Sequence, residues 1–98
     1  MEQQVEIINN EENQHFEAKI AGEFAYTEYR WYKGTLALMH TFVPEIARGK
    51  GISALLAKFA LEYAREKNLK IMVYCSSVAK YMKEHPGYEF LIDKRYHQ

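Results

Sequence analysis

From Leu36 to Tyr63 an apolar run with strand character meets Pro44, crosses a short turn, Arg48-Gly49-Lys50-Gly51, and passes directly into an amphipathic helix. In that helix Ile52, Leu55, Leu56, Phe59, Ala60 and Tyr63 recur at the spacing of one buried face, while Lys58, Glu62, Arg65 and Glu66 fall largely on the other side. The pattern predicts a helix over Gly51–Lys67, closed by Asn68, which tolerates the left-handed conformation of a helix end. Burying each aliphatic or aromatic side chain of such a stripe is worth roughly 1.5–3 kcal/mol. A helix of this kind is expected to dock on a sheet.

A strand, a turn of small residues and a helix start together make an anion site. The first N–H groups of a helix have no intrahelical partner, and the helix dipole adds partial positive charge there. Gly49 and Gly51 remove the Cβ atoms that would hold a phosphate away, and Arg48 and Lys50 add formal charge. The turn is not a Walker A loop, because Gly51 follows Lys50 where Ser or Thr is required. Nor is it a dinucleotide fingerprint, because Ala54 stands where the last glycine belongs. The alternative is a helix start that uses glycine only to turn.

Arg48-Gly49-Lys50-Gly51-Ile52-Ser53 resembles the [QR]-x-x-G-x-[GA] pyrophosphate loop of the GCN5-related N-acetyltransferases, with Ser53 in place of the final small residue. Cys75-Ser76-Ser77-Val78-Ala79-Lys80-Tyr81, His85-Pro86-Gly87-Tyr88 and His40-Thr41-Phe42-Val43-Pro44 resemble segments of very small members of that family. The resemblance covers about Leu36 to Tyr88. It implies an α+β fold with a mixed, mainly antiparallel sheet, a central phosphate-binding helix and a second short C-terminal helix. It also implies that acetyl-CoA lies on the turn, held by Arg48, Gly49, Lys50, Gly51, Ile52 and Ser53. Backbone groups of Thr41, Phe42 and Val43 would take the pantetheine arm and the acyl carbonyl. Small relatives often carry Glu where Phe42 stands, and Phe42 cannot take a proton.

The remaining candidates divide between chemistry and packing. Cys75 ends a strand before an expected helix, where a thiolate is favoured, and the resemblance places it beside the thioester; a small core residue is the plainer role. His40 shares a strand position with Leu36, Leu38 and Phe42, so it is either a partly buried, hydrogen-bonded imidazole or a base. Tyr81 would protonate the departing thiolate by resemblance, or simply pack. His85 before Pro86 is expected to fix a turn. His15, His40, Cys75, His85 and His97 show no metal-ligand spacing, so no metal is expected.

Before the central unit, residues from Gln4 to Asn9, then Phe16, Ala18 and Ile20, then Glu23 to Tyr32, then Thr35 to Val43, read as four strands joined by short turns, an antiparallel meander. In the third, Ala25, Thr27, Tyr29 and Trp31 share one face. Lys70 to Tyr74 follows as a short buried strand, parallel to its predecessor. Ser76 or Ser77 would cap a helix to Glu84, and Tyr88 to Ile92 would form a last strand or a packed tail. The N-terminal helices that border the acceptor cleft in longer acetyltransferases have no room, so the acceptor side is expected to be open.

Ninety-eight residues make one domain, 1–98, with a single core. Thirteen basic residues balance thirteen acidic ones, which removes the electrostatic case for nucleic acid or an anionic membrane as partner. Met1-Glu2-Gln3-Gln4 does not open a signal peptide, and one cysteine makes no internal disulfide. A monomer in the cytoplasm is the expectation. The leading functional reading is transfer of acetyl from acetyl-CoA to an unidentified amine, on a small molecule or a protein, directly or through Cys75. The alternative is a coenzyme A or acyl-CoA binding module without transfer.

Overall fold

In a computed structural model, residues 5–96 are described. The expected beginning of the first strand at Gln4, the opening Met1–Gln4 and His97 lie outside them. The described residues form a five-stranded sheet in sequential order: β1 (Ile7–Asn10), β2 (His15–Ile20), β3 (Glu23–Tyr32), β4 (Thr35–Phe42) and β5 (Ile71–Val73). The first four pair antiparallel, as short polar turns dictate. β5 pairs parallel to β4 after the crossover through helix α1 (Ile52–Glu66). A second helix, α2 (Ser76–Glu84), packs beside α1.

Both helices cover the face that carries Phe16, Tyr29, Leu36, Leu38 and Ile71, which are fully or nearly fully buried. Tyr29 donates its hydroxyl proton to Asn9 Oδ1 at 2.6 Å, so the phenol enters the core with its polar end satisfied. The buried stripe of α1 is Ile52, Leu56, Ala57, Ala60, Leu61 and Ala64. That is rotated from the expected stripe. Leu55 is 42 % exposed, and Phe59 and Tyr63 pack at the margin. The alanines explain the rotation: Ala57, Ala60 and Ala64 let the backbone approach the sheet, and the bulky rings then fill the edge against Phe16.

One further expectation is corrected and one pair of alternatives is decided. Neither Ser76 nor Ser77 caps α2, because both lie inside its first turn and Cys75 takes the cap position without a side-chain bond. Of the strand and the packed tail read for Tyr88–Ile92, the tail holds: Glu89–Leu91 forms a 3-10 turn with Leu91 buried, and Ile92 makes an isolated bridge to Ile71. Asn68 does adopt a left-handed φ of 57° after α1.

The tail is pinned by Asp93, whose backbone N–H donates to Ile71 O and whose carboxylate accepts from Thr35 Oγ1 at 2.6 Å and from Arg95. Those donors, Arg95 foremost, hold the Asp93 carboxyl well below the usual carboxylate range. A depressed folded-state value contributes stability above the unfolded value of about 4 and loses it as pH falls toward the folded one. The parent should therefore lose thermal stability below about pH 4 more steeply than Asp93→Asn. Equal slopes in melting curves across that range would contradict it.

Candidate functional site

The architecture of the site starts from one irregularity. β3 and β4 pair with Glu28 opposite His40 but Tyr29 opposite Leu38, so Met39 is an extra residue in β4. Without that bulge Leu36, Leu38, His40 and Phe42 would share a face. With it, Leu36 and Leu38 point into the core, Thr41 follows them inward, and His40 and Phe42 turn to the opposite side. The histidine is accordingly no partly buried core residue: its side chain is 57 % exposed, and Nε2 lies against Glu28 Oε1.

Glu28, which the sequence did not single out, is held on its other side by Arg30. Arg30 Nη1 in turn donates to Tyr29 O at 2.9 Å. Tyr26 stands edge-on to His40, packs against Phe42, and stacks on His15 at 3.9 Å. The carboxylate missing at Phe42 thus arrives from the neighbouring strand. Its only signal in the sequence is a lone acid between Tyr26 and Arg30 on the outward face of β3.

On the inward side Thr27 and Thr41 share a hydrogen bond of 2.7 Å between their hydroxyls. Thr41 Oγ1 lies 3.1 Å from Cys75 Sγ. Cys75 is 2 % exposed and belongs to the core cluster. The fold therefore brings Cys75 to Thr41 and leaves His40 on the opposite face of β4.

The turn before α1 has the shape an anion site needs. Gly51 caps the helix with φ 74°, and no side chain bonds the first turn. The first helical bond runs from Leu55 N–H to Gly51 O, so the N–H groups of Ile52, Ser53 and Ala54 have no intrahelical acceptor. A Cβ built on Gly49 or Gly51 meets nothing within 4 Å, so both glycines face open space. Lys50 is exposed on the turn. Arg48 is used differently from expectation: its Nε–H donates to Val43 O at 3.1 Å, bracing the turn on the end of β4 and engaging a carbonyl expected to serve the pantetheine arm.

A groove of about 190 Å³ opens between the start of α1 and the side of α2, lined by Ser53, Ala54, Ser77, Lys80, Tyr81 and Glu84. Tyr81 is stacked on His85 at 4.0 Å, and His85 N–H donates to Tyr81 O. Tyr88 donates its hydroxyl proton to Glu62 Oε2 at 2.7 Å, which pushes the phenol up to about 12. The His85–Tyr88 segment therefore ties α2 to α1. Beyond these helices the sheet parts: β4 and β5 pair from Leu36 and Ile71 as far as Leu38 and Val73, with a further bond from Tyr74 N–H to Leu38 O, while β4 runs on to Phe42.

A sheet split at its one parallel pair, over a glycine turn and a helix start, narrows the comparison sharply. The family model described as GCN5-related N-acetyl-transferase matches residues 15–91. The chain belongs to the GCN5-related N-acetyltransferase family. Among relatives, Protein NATD1 of Xenopus tropicalis is 42% identical over 59 residues, covering 60% of this chain and 54% of that protein. Protein NATD1 of Mus musculus gives the same identity and coverage, and Protein NATD1 of Homo sapiens 42% over 59 residues, with 52% of its length covered. The match thus spans about half the length of those relatives. Within the N-acetyltransferase family frame, the described residues supply the turn, the central helix and the parted strands, and no helix covers the outer face of the sheet. Among the described residues no three His, Cys, Asp or Glu side chains converge as a metal site would require.

Proposed function

We propose that this chain is an acetyl-CoA-dependent N-acetyltransferase whose cofactor enters from the helix side and whose acceptor amine approaches from the open face. The observation that carries the reading is the left-handed Gly51 cap, which opens α1 with three N–H groups that have no intrahelical acceptor, at a glycine whose Cβ position faces open space. Ile52, Ser53 and Ala54 would bind the pyrophosphate through their N–H groups, and Lys50 would add charge. Thr41 and Phe42 line the split with backbone groups for the pantetheine arm.

Bound acetyl-CoA supplies the acyl thioester: the new N–C bond forms as the C–S bond breaks. His40 takes the proton that the acceptor nitrogen gives up. With Nε2–H donated to Glu28, Nδ1 is the free nitrogen of the imidazole, and Glu28 fixes the ring's tautomer and orientation. Tyr81, on the helix side, would return a proton to the leaving sulfur. Cys75 is buried and bonded to Thr41, which favours direct transfer over an acetyl-cysteine intermediate.

Two measurements test this. Intact mass after incubation with acetyl-CoA and no acceptor should stay unchanged; one acetyl increment, absent in Cys75→Ala, would overturn the direct route. In a coenzyme A release assay with a panel of amines, His40→Gln should slow turnover by about 10²–10⁴-fold with affinity for acetyl-CoA retained. Phe42 favours a second reading, a coenzyme A-binding module without transfer. Tight acetyl-CoA binding with no thiol release against any amine would establish that reading instead.

A further inference from the structure

On the helix-free face a groove of about 480 Å³ runs along the lower half of the β3–β4–β5 surface. That volume lies within the range of small-molecule sites. Arg30, Ala37 and Met72 stand side by side across the three strands and form its floor. Tyr32, Tyr74, Tyr96 and Met39 rise around them. Met39 is the bulge residue next to His40, and Tyr74 precedes Cys75, so the groove ends about one residue's rise, roughly 3.3 Å, from the split through which the acetyl group would pass.

The chemistry of the lining selects its occupant. The walls are aromatic rings and thioethers, surfaces that hold flat apolar ligands. No carboxylate lines the groove among the described residues. The charges around it are Arg30 on the floor, paired with Glu28, Lys33 Nζ 5.4 Å from the Tyr32 ring, and Arg95, paired with Asp93, 5.2 Å from the Tyr96 ring. Of the four aromatic rings in the lining, Trp31, Tyr32, Tyr74 and Tyr96, those of Tyr32 and Tyr96 already carry a cation. Tyr32 and Tyr96 also meet edge to face at 5.2 Å, closing one end.

We infer that this groove is the acceptor site and that it takes an aromatic amine in its uncharged form. Such an amine is weakly basic and keeps its lone pair free at neutral pH, whereas an alkylamine such as a lysine side chain enters as a cation, meets Lys33 beside Tyr32 and finds no carboxylate among the described lining residues. The inference rests on the acetyltransferase reading for the acceptor role, and on the groove alone for the ligand class.

The isomers p-toluidine and benzylamine test it, having the same atoms but being uncharged and cationic, respectively, at neutral pH. Protein labelled with ¹³C at the methionine methyls is titrated with each. Met39 and Met72 line the groove, and Met82, a buried residue of α2 on the other face of the sheet, is the internal control. p-Toluidine should shift Met39 and Met72 to saturation and leave Met82 unmoved, and benzylamine should produce no saturable shift. Ala37→Leu, which fills the floor, and Tyr74→Ala, at an exposed ring, should each weaken p-toluidine binding by about tenfold or more with the Met82 signal unchanged. Equal or stronger saturation by benzylamine, absence of saturation by p-toluidine, or indifference to both substitutions would overturn the inference. Acetyl-CoA is titrated separately, read at the amides of Gly51 to Ser53. p-Toluidine binding without acetyl-CoA binding would sustain the groove and defeat the acetyltransferase reading, and the converse would defeat the groove alone.

Discussion

Gly51→Val should abolish acetyl-CoA binding, lowering affinity by about a hundredfold or more, while the chain still folds. The residue sits at φ 74°, where a side chain costs about 1–2 kcal/mol of backbone strain. A Cβ there meets no protein atom within 4 Å. Its isopropyl group would therefore project into the space where a phosphate must approach the N–H groups of Ile52, Ser53 and Ala54. Strain and blockade are separated by Gly34→Val, in the β3–β4 turn at φ 83°, also with no atom within 4 Å. That variant should show a similar loss in denaturant midpoint and no change in acetyl-CoA affinity by calorimetry. If Gly51→Val binds as tightly as the parent, the pyrophosphate is not held at this helix start.

Leu61→Ala should cost about 2–5 kcal/mol, a large part of the roughly 5–15 kcal/mol that keeps a domain of this size folded. Leu61 is fully buried within the main core cluster, and truncating it leaves a cavity that the rigid sheet cannot collapse into. Leu55→Ala, only two turns earlier, should change stability by no more than about 0.5 kcal/mol, as exposed positions do. Urea unfolding of the two variants measures the orientation of α1 directly. Comparable losses at Leu55 and Leu61 would mean that the helix is seated on the stripe read from spacing alone.

Much of this was legible before any coordinates. The alternation of Ala25, Thr27 and Tyr29 marked the inward face of β3, because a half-buried strand must repeat every two residues. Pro44, the paired glycines and the apolar periodicity marked the strand, turn and helix of the candidate anion site. Short polar connections required the antiparallel meander, and a helical crossover required β5 to run parallel.

Three decisions belonged to the tertiary structure. The rotation of α1 depended on which side chains let its backbone come closest to the sheet, and Leu55 matches the periodicity as well as Leu61 does. The direction of His40 depended on the bulge at Met39, which arises from the pairing of β4 with β3 and leaves no mark in β4 alone. The partnership of His40 with Glu28, and of Cys75 with Thr41, joins residues far apart in the chain. Local sequence sets period and propensity because those are properties of neighbouring residues. Register, bulge and helix rotation are fixed only when separate elements pack, since their energies come from contacts that exist nowhere but in the folded whole.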